Sequence, residues 1–104
     1  MAAAWNIQEL DVIRWGEARG ILKNSTAMAQ AIKTLEEVTE LISALHRQDA
    51  AEVRDAYGDI LVTLILGADL AGTTLLECLE SAYAQIKDRK GYLRADGVFV
   101  KEQE

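Results

Sequence analysis

Between Thr26 and Leu45 the apolar residues Met28, Ile32, Leu35, Val38, Ile42 and Leu45 recur at helical spacing, which predicts a single core-facing stripe. A short polar break, His46-Arg47-Gln48-Asp49, follows. From Ile60 to Leu70 the chain is apolar nearly all round, which predicts a helix buried on more than one side. Start signals frame these segments. Asp49 with Glu52 and Thr74 with Glu77 each place a capping residue three positions before a carboxylate. Asn6 with Glu9 repeats the signal and opens a first helix to about Arg19, with Gly20 as its C′ residue. Lys23 to Thr26 is a polar connection in which Ser25 or Thr26 caps the second helix. The third helix ends near Gly72, and the fourth runs to about Lys90 before Gly91. In the tail, GYLRADGVFVKE, Asp96-Gly97 is a hairpin-turn dipeptide followed by Val98-Phe99-Val100, which predicts a short β-ribbon or extended end. The expected fold is all-α: a four-helix bundle with that tail. One chain alone does not cover the third helix, so a homo-oligomer is expected.

Composition narrows the class. The chain has 104 residues, half of them apolar and none of them proline, with no repeats or linkers. That suits one domain over residues 1–104. With 17 acidic against 11 basic residues the net charge is −6, which argues against a general nucleic-acid polymer binder. The single cysteine, Cys78, excludes an internal disulfide and reads as a small core residue. The start MAAAWNIQELD lacks a basic segment and a long apolar run, so no signal peptide is expected. Asp69 interrupts the apolar run, which is too short to span a bilayer. These features predict a soluble cytoplasmic protein without a membrane partner.

Candidate chemistry concentrates on both sides of the His46–Asp49 break. Glu37 and Glu40 sit three apart on one helix, and Asp55 and Asp59 four apart on the next, so each pair shares a face. If the helices fold back antiparallel, Glu40 falls near Asp55 and Glu37 near Gly58 and Asp59. At a rise of roughly 1.5 Å per residue, the four carboxylates then lie within about two turns. Such charges repel unless a cation joins them, and hard oxygen ligands without His or Cys point to Mg²⁺ or Mn²⁺. A solvated face is the competing explanation for Glu37 and Glu40, because with Lys33 they project away from the apolar stripe. Asp59 is less easily explained so. It shares a face with Val62 and Leu66, and burying it unpaired is costly. Gly58 beside it costs a helix about 1 kcal/mol against alanine. Close helix packing and close approach of a ligand explain that glycine equally well.

The basic residues Lys87, Arg89, Lys90, Arg94 and Lys101 gather at the end of the fourth helix and in the tail. The helix macrodipole accounts for cations there. So does a phosphate clamp, since Mg²⁺ is commonly held by carboxylates together with substrate phosphates. His46, the single histidine, is expected at the surface, and no Ser–His–Asp or Cys–His constellation is arguable from it. Trp5, Trp15 and Tyr83 suit core packing better than base stacking. No Gly-rich P-loop occurs.

The pattern KTLEEVTEL, then DAYGDILVTLI, then AYAQIKDRKGYLRADGVFVKE resembles the MazG-like all-α nucleotide pyrophosphohydrolases, especially their short phage-type members. The similarity runs from about Gln30 to Glu102. It implies hydrolysis of nucleoside triphosphates, often deoxynucleotides, to monophosphate and pyrophosphate, and a dimer or dimer of dimers. It implies Mg²⁺ held by Glu37, Glu40, Asp55 and Asp59. Of these, Glu37, Glu40 and Asp59 would be catalytic. Either glutamate would orient or deprotonate a metal-activated water. Lys33, Lys87, Arg89, Lys90 and Arg94 form the implied phosphate-binding set. The sequence departs from the family pattern twice. Ala56 stands where the second-helix ExxD motif has its glutamate, and Asp55 supplies a carboxylate from the same face as Asp59. Ala84 stands where many members have a nucleotide-contacting asparagine. Two rival readings are a phosphoribosyl-ATP pyrophosphatase and a catalytically idle helical dimer that binds nucleotide or protein.

Overall fold

The architecture follows from where the helices are forced to stop. In the computed structural model, which describes residues 4–102, five helices and one small sheet follow in order. They are α1 (Trp5–Ala18), α2 (Ile21–Asn24), α3 (Ala27–His46), α4 (Ala50–Leu70), α5 (Leu75–Ile86), β1 (Gly91–Leu93) and β2 (Phe99–Lys101). Part of the N-terminal stretch read for a signal peptide, Met1 to Ala3, lies outside the described residues.

Three predicted caps form. Thr26, Asp49 and Thr74 accept hydrogen bonds from the backbone N–H of Ala29, Glu52 and Glu77. The fourth does not, because α1 begins two residues earlier than Asn6 predicts, after Ala4. Glu9 instead turns away from its own helix. Its carboxylate, 5% exposed, accepts a hydrogen bond at 3.3 Å from the N–H of Leu76 in the first turn of α5.

The α3–α4 break closes by a Schellman arrangement. Gln48 N–H donates to the Leu45 carbonyl, and Asp49 N–H donates to the Ala44 carbonyl. This puts Gln48 at φ 56°, left-handed backbone in a residue with a side chain. Gly72 at φ 87° closes α4 by the same pattern.

The tight turn lays α4 back along α3, and this pair makes the most extensive contact in the chain. Buried along it are Ala44, Ala56, Thr63, Ile65, Leu66 and Glu37. Thr34 and Thr63 hydroxyls meet across the seam at 2.7 Å, and each also reaches a carbonyl of its own helix, Gln30 or Ile60. Helix α1 packs on α4 through Gly16, where an added Cβ would lie 2.6 Å from Cδ2 of Leu66.

Two expectations are reversed here. The predicted core stripe on α3 faces out, with Met28 69% and Leu35 68% exposed, and Ile32, Ile42 and Leu45 also exposed. The polar face carrying Glu37 is the one that packs on α4, because the Thr34–Thr63 contact and the small Ala44 and Ala56 let the helices approach there. Asp59 is exposed rather than buried among Val62 and Leu66, and Leu61 and Leu64 on α4 are exposed.

The helices do not form a closed four-helix bundle. The chain bends by 96° between α4 and α5, and α5 has little contact with the rest. Cys78 and Tyr83 on α5 are therefore exposed, against the core roles predicted for them, and Trp5 and Trp15 are also partly open. The predicted ribbon does form. Tyr92 pairs with Val100, and the Asp96 side chain accepts from Val98 N–H and from Arg94. The Arg94 hydrogen bond holds the Asp96 carboxyl below its usual pKa.

The single chain exposes 8054 Å² with a radius of gyration of 16.1 Å. A compact monomer of this mass exposes about 5,800 Å², and one of about 100 residues has a radius near 13 Å. No single helix among the described residues is long and apolar enough to cross a membrane.

The glycines separate two kinds of helix packing. Gly16→Ala pushes a methyl against Leu66, which is 2% exposed and has nowhere to move. Overpacking of about 1–3 kcal/mol outweighs a propensity gain of about 1. The melting temperature of this variant should fall by several degrees. Beside Gly58 nothing lies within 4 Å, which removes close packing within the chain as its reason. Gly58→Ala should raise the melting temperature. If the same variant self-associates less, a second chain approaches at that face.

Candidate active site

The hairpin turn brings three of the four predicted carboxylates to one cleft. Glu40 from α3 and Asp55 and Asp59 from α4 line a cavity of about 310 Å³, together with Ser43, Arg47, Glu52 and Ala56. Glu37, one turn before Glu40, does not line that cavity. It is 8% exposed and sits at the seam. Its Oε1 lies 3.6 Å from Nζ of Lys33, while its Oε2 is buried without any hydrogen-bond partner. An unpartnered buried carboxylate oxygen is costly. A cation is the partner its chemistry calls for. Among the described residues no three acidic side chains converge at metal-ligand distance. The all-oxygen donor set and the orphaned Glu37 Oε2 nevertheless fit a hard divalent cation.

The cleft has one internal cation, Arg47, which lies 3.7 Å from Asp49 at its rim. Sequence reasoning passed over Arg47 and Ser43 and read Glu52 as part of a helix start signal. Their signal was the turn itself, since residues flanking a two-helix break end up facing one another.

The predicted phosphate-binding residues are dispersed. Lys33 is turned toward its own helix, 3.1 Å from Glu36, and the Glu36 hydrogen bond and charge raise its pKa above the usual 10.5. Arg94 is engaged by Asp96 in the ribbon turn rather than free for a phosphate. Arg89 and Lys90 line a different cleft of about 630 Å³ at the base of the ribbon, with Tyr92, Phe99 and Glu102. Lys87, the C-cap of α5, lines neither. Ala84 is exposed on α5, as is His46 at the end of α3.

A third cleft, of about 390 Å³, adjoins the acidic one. Gln8, Asp11, Val12 and Trp15, from one face of α1, form one wall, and Asp59 and Val62 of α4 form the other. Asp59 therefore lines both cavities.

Comparison with known proteins bears on the family of the chain. The family model described as the MazG nucleotide pyrophosphohydrolase domain matches residues 25–99, which span the α3–α4 hairpin, α5 and most of the ribbon. A protein of Haemophilus phage HP1 (strain HP1c1), described as an uncharacterized 18.2 kDa protein in the rep-hol intergenic region, is 30% identical over 63 residues. The match covers 59% of this chain and 39% of the phage protein, so the chain spans well under half of that relative. No solved structure matches the chain.

Glu37 gives a direct check on the seam. Glu37→Gln removes a buried charge whose Oε2 has no partner, at constant shape, so in EDTA the variant should melt at the same temperature as the parent or a few degrees higher. A clear fall would mean that the Lys33 contact, not an absent cation, satisfies this carboxylate.

Proposed function

The chain belongs to the MazG nucleotide pyrophosphohydrolase family, and on that premise we propose that it is a Mg²⁺-dependent enzyme. In this reading it converts nucleoside or deoxynucleoside triphosphates to monophosphate and pyrophosphate, serving nucleotide pool control or sanitation in the cytoplasm. The observation that carries the reading is the acidic cleft of Glu40, Asp55 and Asp59 with the unpartnered Oε2 of Glu37 one turn away.

These four carboxylates are the groups that would hold Mg²⁺, with Mn²⁺ as a substitute. When bound, the ion supplies Lewis acidity and offsets phosphate charge. The protein's own work is to place a water in line with the α-phosphorus and take its proton. Glu37 or Glu40 accepts that proton as the new O–P bond forms and the bond to the pyrophosphate oxygen breaks. Asp59 keeps the acidic wall in register with the adjoining cleft, and Asp55 stands in for the carboxylate missing at Ala56. Lys33, Lys87, Arg89, Lys90 and Arg94 are assigned to phosphate binding. Within one protomer Arg89 and Lys90 line a different cleft, so this assignment requires a neighbouring protomer or a shifted tail to bring them over.

Self-association is part of the proposal. The outward apolar stripe of α3 and an exposed area well above that of a compact monomer support a homodimer or dimer of dimers. The competing reading is an idle helical dimer that only binds nucleotide or protein. It draws on one observation, the absence of a converged acidic trio among the described residues.

Pyrophosphate release from a panel of NTPs and dNTPs, in Mg²⁺ and in EDTA, tests the reading. Release should require Mg²⁺ and fall by at least a hundredfold in Asp59→Asn and Glu40→Gln, with both variants folded. An idle scaffold would instead show no release and no Mg²⁺-dependent, nucleotide-linked rise in melting temperature.

A further inference from the structure

The cleft between α1 and α4 is not needed to hold a cation or a phosphate. Its composition is different from that of the acidic cavity it adjoins. Val12 and Val62 supply apolar walls, Trp15 supplies an indole, and besides the Asp59 carboxylate shared with the acidic cavity the polar groups are the Gln8 amide and the Asp11 carboxylate. Gln8, Asp11, Val12 and Trp15 are spaced so that all four fall on one face of α1. The volume, about 390 Å³, is within the range of small-ligand sites and accommodates a nucleobase with room for part of the sugar. Trp15 is held in place from outside the cleft. The guanidinium of Arg19, which does not line the cavity, lies 5.2 Å from the centroid of its ring. An indole anchored by a cation and bordering an apolar slot has less freedom to lose when a second aromatic plane stacks on it.

We infer that this cleft is the nucleobase subsite, and that it selects bases presenting amino groups, guanine foremost. The inference rests on the pyrophosphohydrolase reading for what lies next door. Asp59 borders both cavities, so a base seated against Trp15 directs its phosphates past Asp59 into the acidic cleft. The selectivity follows from hydrogen-bond chemistry. An ionised carboxylate only accepts, and guanine offers adjacent N1–H and N2–H donors matched to its two oxygens. Adenine and cytosine each offer a single amino group there. Thymine and uracil present two carbonyl acceptors around one N–H and set an acceptor against Asp11. The amide of Gln8 both donates and accepts, so it tolerates each base.

The test separates base binding from hydrolysis. In a Trp5→Phe protein, Trp15 is the sole indole, and its fluorescence is titrated in EDTA with dGMP, dTMP and ribose 5-phosphate. We expect saturable quenching by dGMP, at least fivefold weaker affinity for dTMP and no response to ribose 5-phosphate. Asp11→Asn should bring dGMP and dTMP to within about twofold of each other. Trp15→Ala should raise KM for dGTP roughly tenfold, the scale of one base–aromatic stack, with kcat little changed. Equal responses to all three ligands, or an unchanged KM in Trp15→Ala while pyrophosphate is released normally, would overturn the subsite alone. Selective dGMP quenching in a protein that releases no pyrophosphate would uphold the subsite and overturn the hydrolase reading.

Discussion

Everything else in this chain depends on the seam between α3 and α4. Two helices joined by a three-residue turn have one face each to offer the other, and here both offer small or polar residues. Ala44, Ala56 and the two threonines permit close approach, and Glu37 is carried inward with them. A carboxylate in that position weakens the apo seam, and a more apolar residue there would make a better helix pair. The same placement sets Glu40, Asp55 and Asp59 around a single cavity at the seam's edge. Stability is given up at the point where charge is concentrated, a trade seen where chemistry rather than packing fixes a residue.

The outer surfaces follow from that choice. With Thr34, Glu37 and Ala44 turned inward, α3 presents its apolar stripe outward, beside exposed Lys33 and Glu36. Helix α5, thrown off at 96°, leaves its own apolar residues Leu79, Tyr83 and Ile86 open. Glu9 is the exception that ties the periphery together, capping the first turn of α5 from within α1. The wall that carries Gln8, Asp11 and Trp15 is thereby linked to the helix that leads into the basic tail.

Much of this was legible in the residues. Thr26, Asp49 and Thr74 signal helix starts through local hydrogen bonds that need no tertiary context, and all three caps form. Asp96-Gly97 likewise makes its turn. The opposition of Glu40 to Asp55 followed from counting residues either side of the break. Periodicity located the stripe on α3 but not its direction, because an apolar face packs equally well on its own chain or on another. Asn6 and Glu9 show the limit of local reading. Their spacing is that of a capping box, yet Glu9 satisfies a donor 67 residues away. Asp59 was expected to be buried because Val62 and Leu66 share its face, whereas it stands at the open junction of two clefts. Trp15 was assigned to the core since aromatic residues usually belong there, and no spacing rule indicates that α1 leaves a slot beside it.

The two threonine hydroxyls on the seam have a property of their own. Thr34 and Thr63 take part in three close oxygen contacts, one between them and one to a carbonyl on each helix. Two hydroxyls carry two protons, so one of the three contacts is always unfilled. The helices are pinned at a fixed separation, yet the direction of the bond between them is degenerate, as in the hydrogen network of ice. Thr34 lies one turn from Glu37, and Thr63 one turn from Asp59. A dipole that can reverse without moving any heavy atom therefore sits on the seam within a turn of the acidic residues.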